Sequence, residues 1–127
     1  MSIKFNIVER GRPAHNEAPK KYYPSIQSTG RVSMRYLAER ASDMSTLSTP
    51  DVMAVIEALL HIIPDELAQG NIVELGDFGN FWLRFSADGV DNPAAVSGKQ
   101  ITTLIPRFIP GRRFRNVLAG VEFKKRR

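Results

Sequence analysis

The sequence predicts an α+β fold, and three observations point to it. Two helix-period apolar patterns follow each other over residues 34–44 and 50–69. Two extended runs, 72–75 and 80–85, flank a turn bounded by Gly76 and Gly79. A third extended run, 100–109, stops at Pro110-Gly111 and opens a short basic helix. At 127 residues the chain has room for one domain and an appendage.

The elements can be justified in chain order. Residues 3–9 alternate, with Ile3, Phe5 and Ile7 on one side and Lys4, Asn6 and Val8 on the other, as in a half-buried strand. Residues 10–19 combine Gly, Pro, Asn and charge and read as a loop. Extended structure returns over 21–28, with Pro24 marking an edge, and Thr29-Gly30 turns the chain. Residues 1–30 are therefore expected to form a β-hairpin-like extension, and 31–127 the main domain with a basic C-terminal tail.

Ser33 is a suitable N-cap for a first helix carrying Met34, Leu37, Ala38 and Ala41 at helical spacing. Ser48 and Thr49 are cap candidates for the second, with Pro50 at a first helical position and Asp51 in the first turn. Val52, Val55, Ile56, Leu59, Leu60, Ile63 and Leu67 make a wide apolar stripe that ends at Gly70. Pro64 is expected to kink this helix or end its regular part.

In the hairpin, Phe78, Phe81 and Leu83 are the expected core residues, with Trp82 and Arg84 on the other face. Residues 86–99 are polar and broken by Gly89, Pro93 and Gly98. Pro106 predicts an exposed or bulged position on the returning strand. The final helix, 111–119, places Phe114, Val117 and Leu118 inward and Arg112, Arg113 and Arg115 outward. Residues 121–123 suit a last strand.

Composition removes several function classes. With 43% hydrophobic and 24% charged residues the chain is ordinary for a folded soluble protein. No apolar run is long enough to span a membrane, and the N-terminus lacks the apolar stretch and cleavage site of a signal peptide, so cytoplasm is the default. Zero cysteines exclude disulfides and thiolate metal sites. The two histidines, His15 and His61, have no carboxylate or nucleophile at a motif spacing. Gly76–Gly79 is a hairpin turn and not a dinucleotide loop, because no helix follows it. The reading is of a non-enzyme with no catalytic residue, cofactor, metal or small-molecule substrate.

Charge is segregated along the chain. Residues 1–40 carry eight Lys/Arg against three Asp/Glu, residues 41–98 one against nine, and residues 99–127 nine against one. Clustered positive charge is the footprint of a polyanion partner, most commonly nucleic acid. Arg112, Arg113 and Arg115 project from one side of a helix whose Phe114 anchors it, and guanidinium forks suit phosphate oxygens. Lys99 and Arg107 on the returning strand and Arg84 on the outgoing one line one sheet face if those strands pair. Residues 124–127 are expected to add a flexible electrostatic tail.

Over about residues 33–119, the order of elements resembles the HU/IHF family of histone-like DNA-binding proteins. Leu75-Gly76-Asp77-Phe78-Gly79-Asn80-Phe81 looks like that family's hairpin signature, and Ile105-Pro106-Arg107-Phe108-Ile109-Pro110-Gly111-Arg112 like its strand-to-helix corner. The N-terminal extension and weakly charged arm look most like the HU-like proteins of Bacteroides-type bacteria. The resemblance implies two N-terminal helices, a three-stranded antiparallel sheet with a β-arm and a short C-terminal helix. It also implies a homodimer on the nucleoid whose arms embrace double-stranded DNA with little sequence preference.

On this resemblance Pro93 matches an arm-tip wedge that bends the duplex, Arg84 an arm-base arginine, and Arg112 and Arg115 phosphate-contacting lysines. Pro93 reads equally well as a plain turn proline. The family's arms are studded with Arg and Lys, whereas residues 86–91 here have none and carry Asp88 and Asp91. Either this arm does not grip DNA as the family's arms do, or the N-terminal basic segment with Arg10, Arg12, Lys20 and Lys21 takes its place. Two alternatives stay open. One is a protein-interaction module built on an HU-like dimer that has lost DNA bending. The other is a monomer whose N-terminal strands cover Phe78, Phe81, Trp82, Phe85, Phe108 and Phe114.

Overall fold

The computed structural model describes residues 1–11 and 19–126. They fall into two compact units, one of Met34–Asn116 and one of Met1–Ser33 with Val117–Arg127.

The first unit opens with α1 (Met34–Asp43), immediately after Ser33. Arg35 and Glu39, one turn apart, form an exposed ion pair at 3.4 Å, worth about 0.3–0.5 kcal/mol. In α2 (Thr49–Ala68) the Ser48 hydroxyl accepts the Asp51 N–H at 3.2 Å, a cap worth about 1 kcal/mol. Pro64, expected to kink this helix or end its regular part, does not end it: the helix runs four residues beyond. A mid-helix proline costs about 3 kcal/mol, and burial of Leu67 beyond it offsets that cost.

The true end of α2 is a left-handed cap at Gly70, φ 90°. Gly70 N–H donates to the Leu67 carbonyl at 2.9 Å and Asn71 N–H to the Glu66 carbonyl at 3.1 Å. Together these are the paired bonds of a Schellman motif. The Asn71 side-chain amide also donates to the Glu66 carboxylate at 2.9 Å.

A three-stranded antiparallel sheet follows, with β3 (Val73–Glu74), β4 (Gly79–Ala87) and β5 (Ile101–Pro110) in the order β3-β4-β5. α1 packs on α2, and α2 on β3 and β4. Between β3 and β4 the chain makes a 3-10 turn over Gly76–Phe78, with Leu75 N–H donating to the Gly79 carbonyl at 2.9 Å. Pro106 sits opposite Leu83 on β5, the edge strand, where a missing N–H leaves no ladder bond broken.

On one face of this sheet Phe78, Phe81, Phe108 and Phe114 form a ring cluster. Phe108 stands at its centre, 5.0 Å from Phe81, 5.8 Å from Phe78 and 5.9 Å from Phe114. Yet the buried apolar side chains of the single chain, among the described residues, are only Ala38, Val52 and Leu67. Phe78 is 53% exposed and Phe114 37%, so neither is the buried residue expected from the pattern. Val117 and Leu118 also lie exposed. One copy has too few elements to close over its own aromatic face.

The second unit is a sheet built from both ends of the chain: β1 (Ser2–Arg10), β2 (Lys21–Ile26) and β6 (Glu122–Lys125), in the order β2-β1-β6. β2 joins β1 antiparallel and β6 joins it parallel. Lys124 and Lys125 are therefore strand residues and not part of a free tail, and Arg126 N–H donates to the Phe5 carbonyl at 2.8 Å. The pairing also puts 117–127 with the N-terminal strands, where the sequence suggested a boundary at 30/31 with the tail on the main domain. The reason is Phe123, which joins Phe5, Ile7, Tyr22, Tyr23, Pro24 and Ile26 along one apolar groove. Arg12, His15 and Arg127 lie outside the described residues.

Candidate nucleic-acid interface

The β4–β5 ladder decides which cations share a face. Trp82 stands opposite Arg107, and Arg84 opposite Ile105. Directly opposed residues of an antiparallel pair project to the same side, and residues two apart along one strand do too. Arg84 and Arg107 are thus diagonal neighbours on one face, beside Trp82, while Phe81, Leu83, Phe85 and Phe108 take the other. Both arginines are exposed, and Trp82 is half-buried. The Trp82 indole N–H has no acceptor among the described residues.

Lys99 does not join them. Residues Gly98–Gln100 form a 3-10 turn ahead of β5, closed by a reciprocal cap between Ser97 and Gln100. Ser97 N–H donates to the Gln100 side-chain oxygen at 2.7 Å, and the Gln100 amide donates to the Asp88 carbonyl. These bonds bend the chain out of the strand, and they also close the loop by tying its two ends together. Lys99 is therefore an exposed cation near the arm's tip and not a sheet residue.

Pro93 lies in a second 3-10 turn, Pro93–Ala95, where the Asn92 side chain accepts the Ala94 N–H at 3.1 Å. The turn is solvent-exposed throughout and holds Pro93 between Asp91 and the apolar pair Ala94–Ala95. Asp88 and Asp91 are also exposed, so this loop presents negative charge where the arm base presents positive.

The basic helix α3 (Arg112–Ala119) begins right after β5. At about 100° per residue, Arg112, Arg113, Arg115 and Asn116 share one side and Phe114, Val117 and Leu118 the opposite one. Phe114 reaches Phe78 at 5.3 Å, which fixes the helix's start on the β3–β4 turn and turns its arginines to solvent. No acid pairs with Arg84, Arg107, Arg112, Arg113 or Arg115: among the described residues the one salt bridge is Arg35–Glu39. Five guanidinium groups thus stand free for an external anion. No group of three His, Cys, Asp or Glu that could hold a metal ion occurs among the described residues, and no helix there is long and apolar enough to cross a membrane.

The arrangement of a helix pair, a hairpin arm and a basic helix matches a known family model over residues 1–125, that of the HU domain fused to a winged-helix, Ig or glycine-rich motif. The chain belongs to the HU-HIG family. That match takes in the terminal sheet as well as the helices and arm. The integration host factor β subunit of a Marinomonas species is 32% identical over 76 residues, 58% of this chain and 74% of that one. A Bacteroides vulgatus structure described as a DNA-binding protein superposes over 98% of this chain with a TM-score of 0.67 at 13% identity. The chain spans about half of that protein, 47% of its length. An Anabaena HU–DNA cocrystal structure superposes over 70% of this chain and 99% of that one, with a TM-score of 0.55 and 24% identity. Both structures share the HU-HIG chain's α+β fold.

Sequence reasoning set Arg10 and Lys21 in an N-terminal basic segment and Lys124 in a flexible tail, and did not single out Lys4. Lys4 and Arg10 have the same strand parity, which placed them on one face from the start. What no pattern revealed was that Lys124 lies beside Lys4.

Proposed function

We propose that this HU-HIG chain acts as a homodimer that binds duplex DNA on the bacterial nucleoid, in the cytoplasm, and that its role is architectural and not enzymatic. Arg84 and Arg107 at the arm base and Arg112, Arg113 and Arg115 on α3 contact phosphates, with Lys99 and Pro93 engaging the duplex from the arm. The observation that carries this reading is the set of five exposed arginines with no ion-pair partner among the described residues. Backbone contacts of this type fix position on the duplex and carry little base information.

A dimer accounts for the exposed apolar surface. α2 buries Val52 and Leu67, yet Val55, Leu59 and Ile62 of the same wide apolar stripe are exposed. An apolar stripe that its own chain covers only in part belongs inside an assembly. The acidic loop at Asp88 and Asp91 favours a second reading, in which the dimer has kept the fold and turned to protein partners.

The test is a titration of a labelled random-sequence duplex of about 30 base pairs at several salt concentrations. Five phosphate contacts predict a log–log slope of about −4.5 per chain. Absence of binding at low salt would leave only the protein-partner reading.

A further inference from the structure

The terminal sheet has two unlike faces. The odd-numbered residues of β1 share a side with Tyr22, Pro24, Ile26 and Phe123, the apolar groove already described. The even-numbered residues, Ser2, Lys4, Asn6, Val8 and Arg10, share the other side with Lys21 and Ser25 of β2 and with Glu122 and Lys124 of β6. The register sets Lys4 directly opposite Lys124, and Arg10 directly opposite Lys21. All four cations are exposed. Among the described residues the one acid on this face is Glu122, opposite Ser2 at its end, and none of the four cations has an ion-pair partner there.

Like charges directly opposite one another destabilise a sheet, and this face holds two such pairs. Asn6 and Ser25 between them offer hydrogen-bond donors and no charge. The two cationic pairs are six residues apart on β1, about 20 Å at about 3.3 Å per residue, or roughly six base-pair steps of duplex at about 3.4 Å each. Repulsion of this kind is relieved by a linear polyanion laid across the face.

We infer that the even face of the terminal sheet is a second DNA-backbone contact, in which Lys4, Lys124, Arg10 and Lys21 neutralise phosphates independently of the arm and α3. It rests on the proposed duplex binding, and supplies positive charge that the acidic arm loop lacks.

The experiment compares the full natural chain with two triple variants, Lys4→Gln/Lys21→Gln/Lys124→Gln and Lys4→Arg/Lys21→Arg/Lys124→Arg, on the same duplex across a salt series. The Gln variant is expected to bind more weakly, with a log–log slope shallower by about 2.7 per chain, the value for three phosphates. The Arg variant is expected to keep the natural slope. Thermal unfolding of the Gln variant should occur no lower than that of the natural chain, because repulsion has been removed. An unchanged slope in the Gln variant, with the natural chain binding, overturns this inference and leaves the arm-and-helix site standing. An Arg variant that binds as the Gln variant does overturns it as well. No binding by the natural chain overturns both readings.

Discussion

Gly111 lies flat against the peptide of Asp77. Its N–H donates to the Phe78 carbonyl at 3.0 Å, and a Cβ built on residue 111 would run into the Asp77 carbonyl. This contact joins the corner after β5 to the turn between β3 and β4. It therefore sets where α3 starts and which way Arg112, Arg113 and Arg115 face. A glycine is needed here for close approach of two backbones, not for an unusual dihedral.

Gly111→Ala should accordingly destabilise the protein by about 1–3 kcal/mol, as overpacking against a backbone that cannot give way does. Gly89→Ala, where nothing lies within 4 Å, is the matched control and should be close to neutral. Urea unfolding of both variants measures the difference. Equal midpoints would show that the corner relaxes freely.

The Phe108 ring meets three others, and each aromatic pair adds about 0.5–1.5 kcal/mol beyond its area. Phe108→Ala should cost about 3–5 kcal/mol. Phe85, which is 55% exposed and in no ring pair among the described residues, should cost far less when changed to Ala. Thermal denaturation of the two variants under one buffer condition tests the ranking.

Ile62→Glu should split the dimer with little effect on the single chain's fold. Ile62 is 53% exposed on α2, so a carboxylate there stays hydrated in a monomer but is buried unpaired in an apolar interface. Sedimentation velocity is expected to show a dimer for the natural chain and a monomer for the variant at micromolar concentration. A dimer in both would place the interface elsewhere.

Replacing Arg112, Arg113 and Arg115 together with Gln should weaken binding to all duplex sequences alike and reduce the salt slope by about 2.7. A change in preference among sequences, instead of a uniform loss, would mean that α3 reads bases and not phosphates.

Pro93→Ala tests the arm loop. If Pro93 wedges between base steps, the variant should bind with an affinity close to the natural chain's and bend the duplex less, as end-to-end fluorescence transfer would report. An unchanged bend would make Pro93 a turn residue alone, a role its place after the Asn92 cap already suits.

Helices, strands and turns were legible because they are written in local periods. The Ser48-Thr49-Pro50 start of α2 and its Gly70 stop, the Gly76–Gly79 turn, and the amphipathic split of α3 each depend on residues within one or two turns of each other. The outward arginines of α3 were legible for the same reason, from helical spacing, whereas Arg84 and Arg107 share a face only through the β4–β5 register. Lys99 was misplaced because a side-chain cap from Gln100 overrode the run of extended residues. Pro64 did not end α2, one of the two outcomes expected of it, because burial farther along the helix outweighed a local penalty.

Long-range pairing was beyond local reading. Nothing within reach of Phe123 or Lys124 signals that they lie beside Ile3 and Lys4, at the opposite end of the chain. Parallel pairing of this kind depends on where the intervening elements deliver the two ends. Thus amino-acid order specified the elements and the chemistry each one displays. Folding in three dimensions decided which cations meet, because opposing two lysines across a ladder is a property of register between distant segments and of no single segment alone.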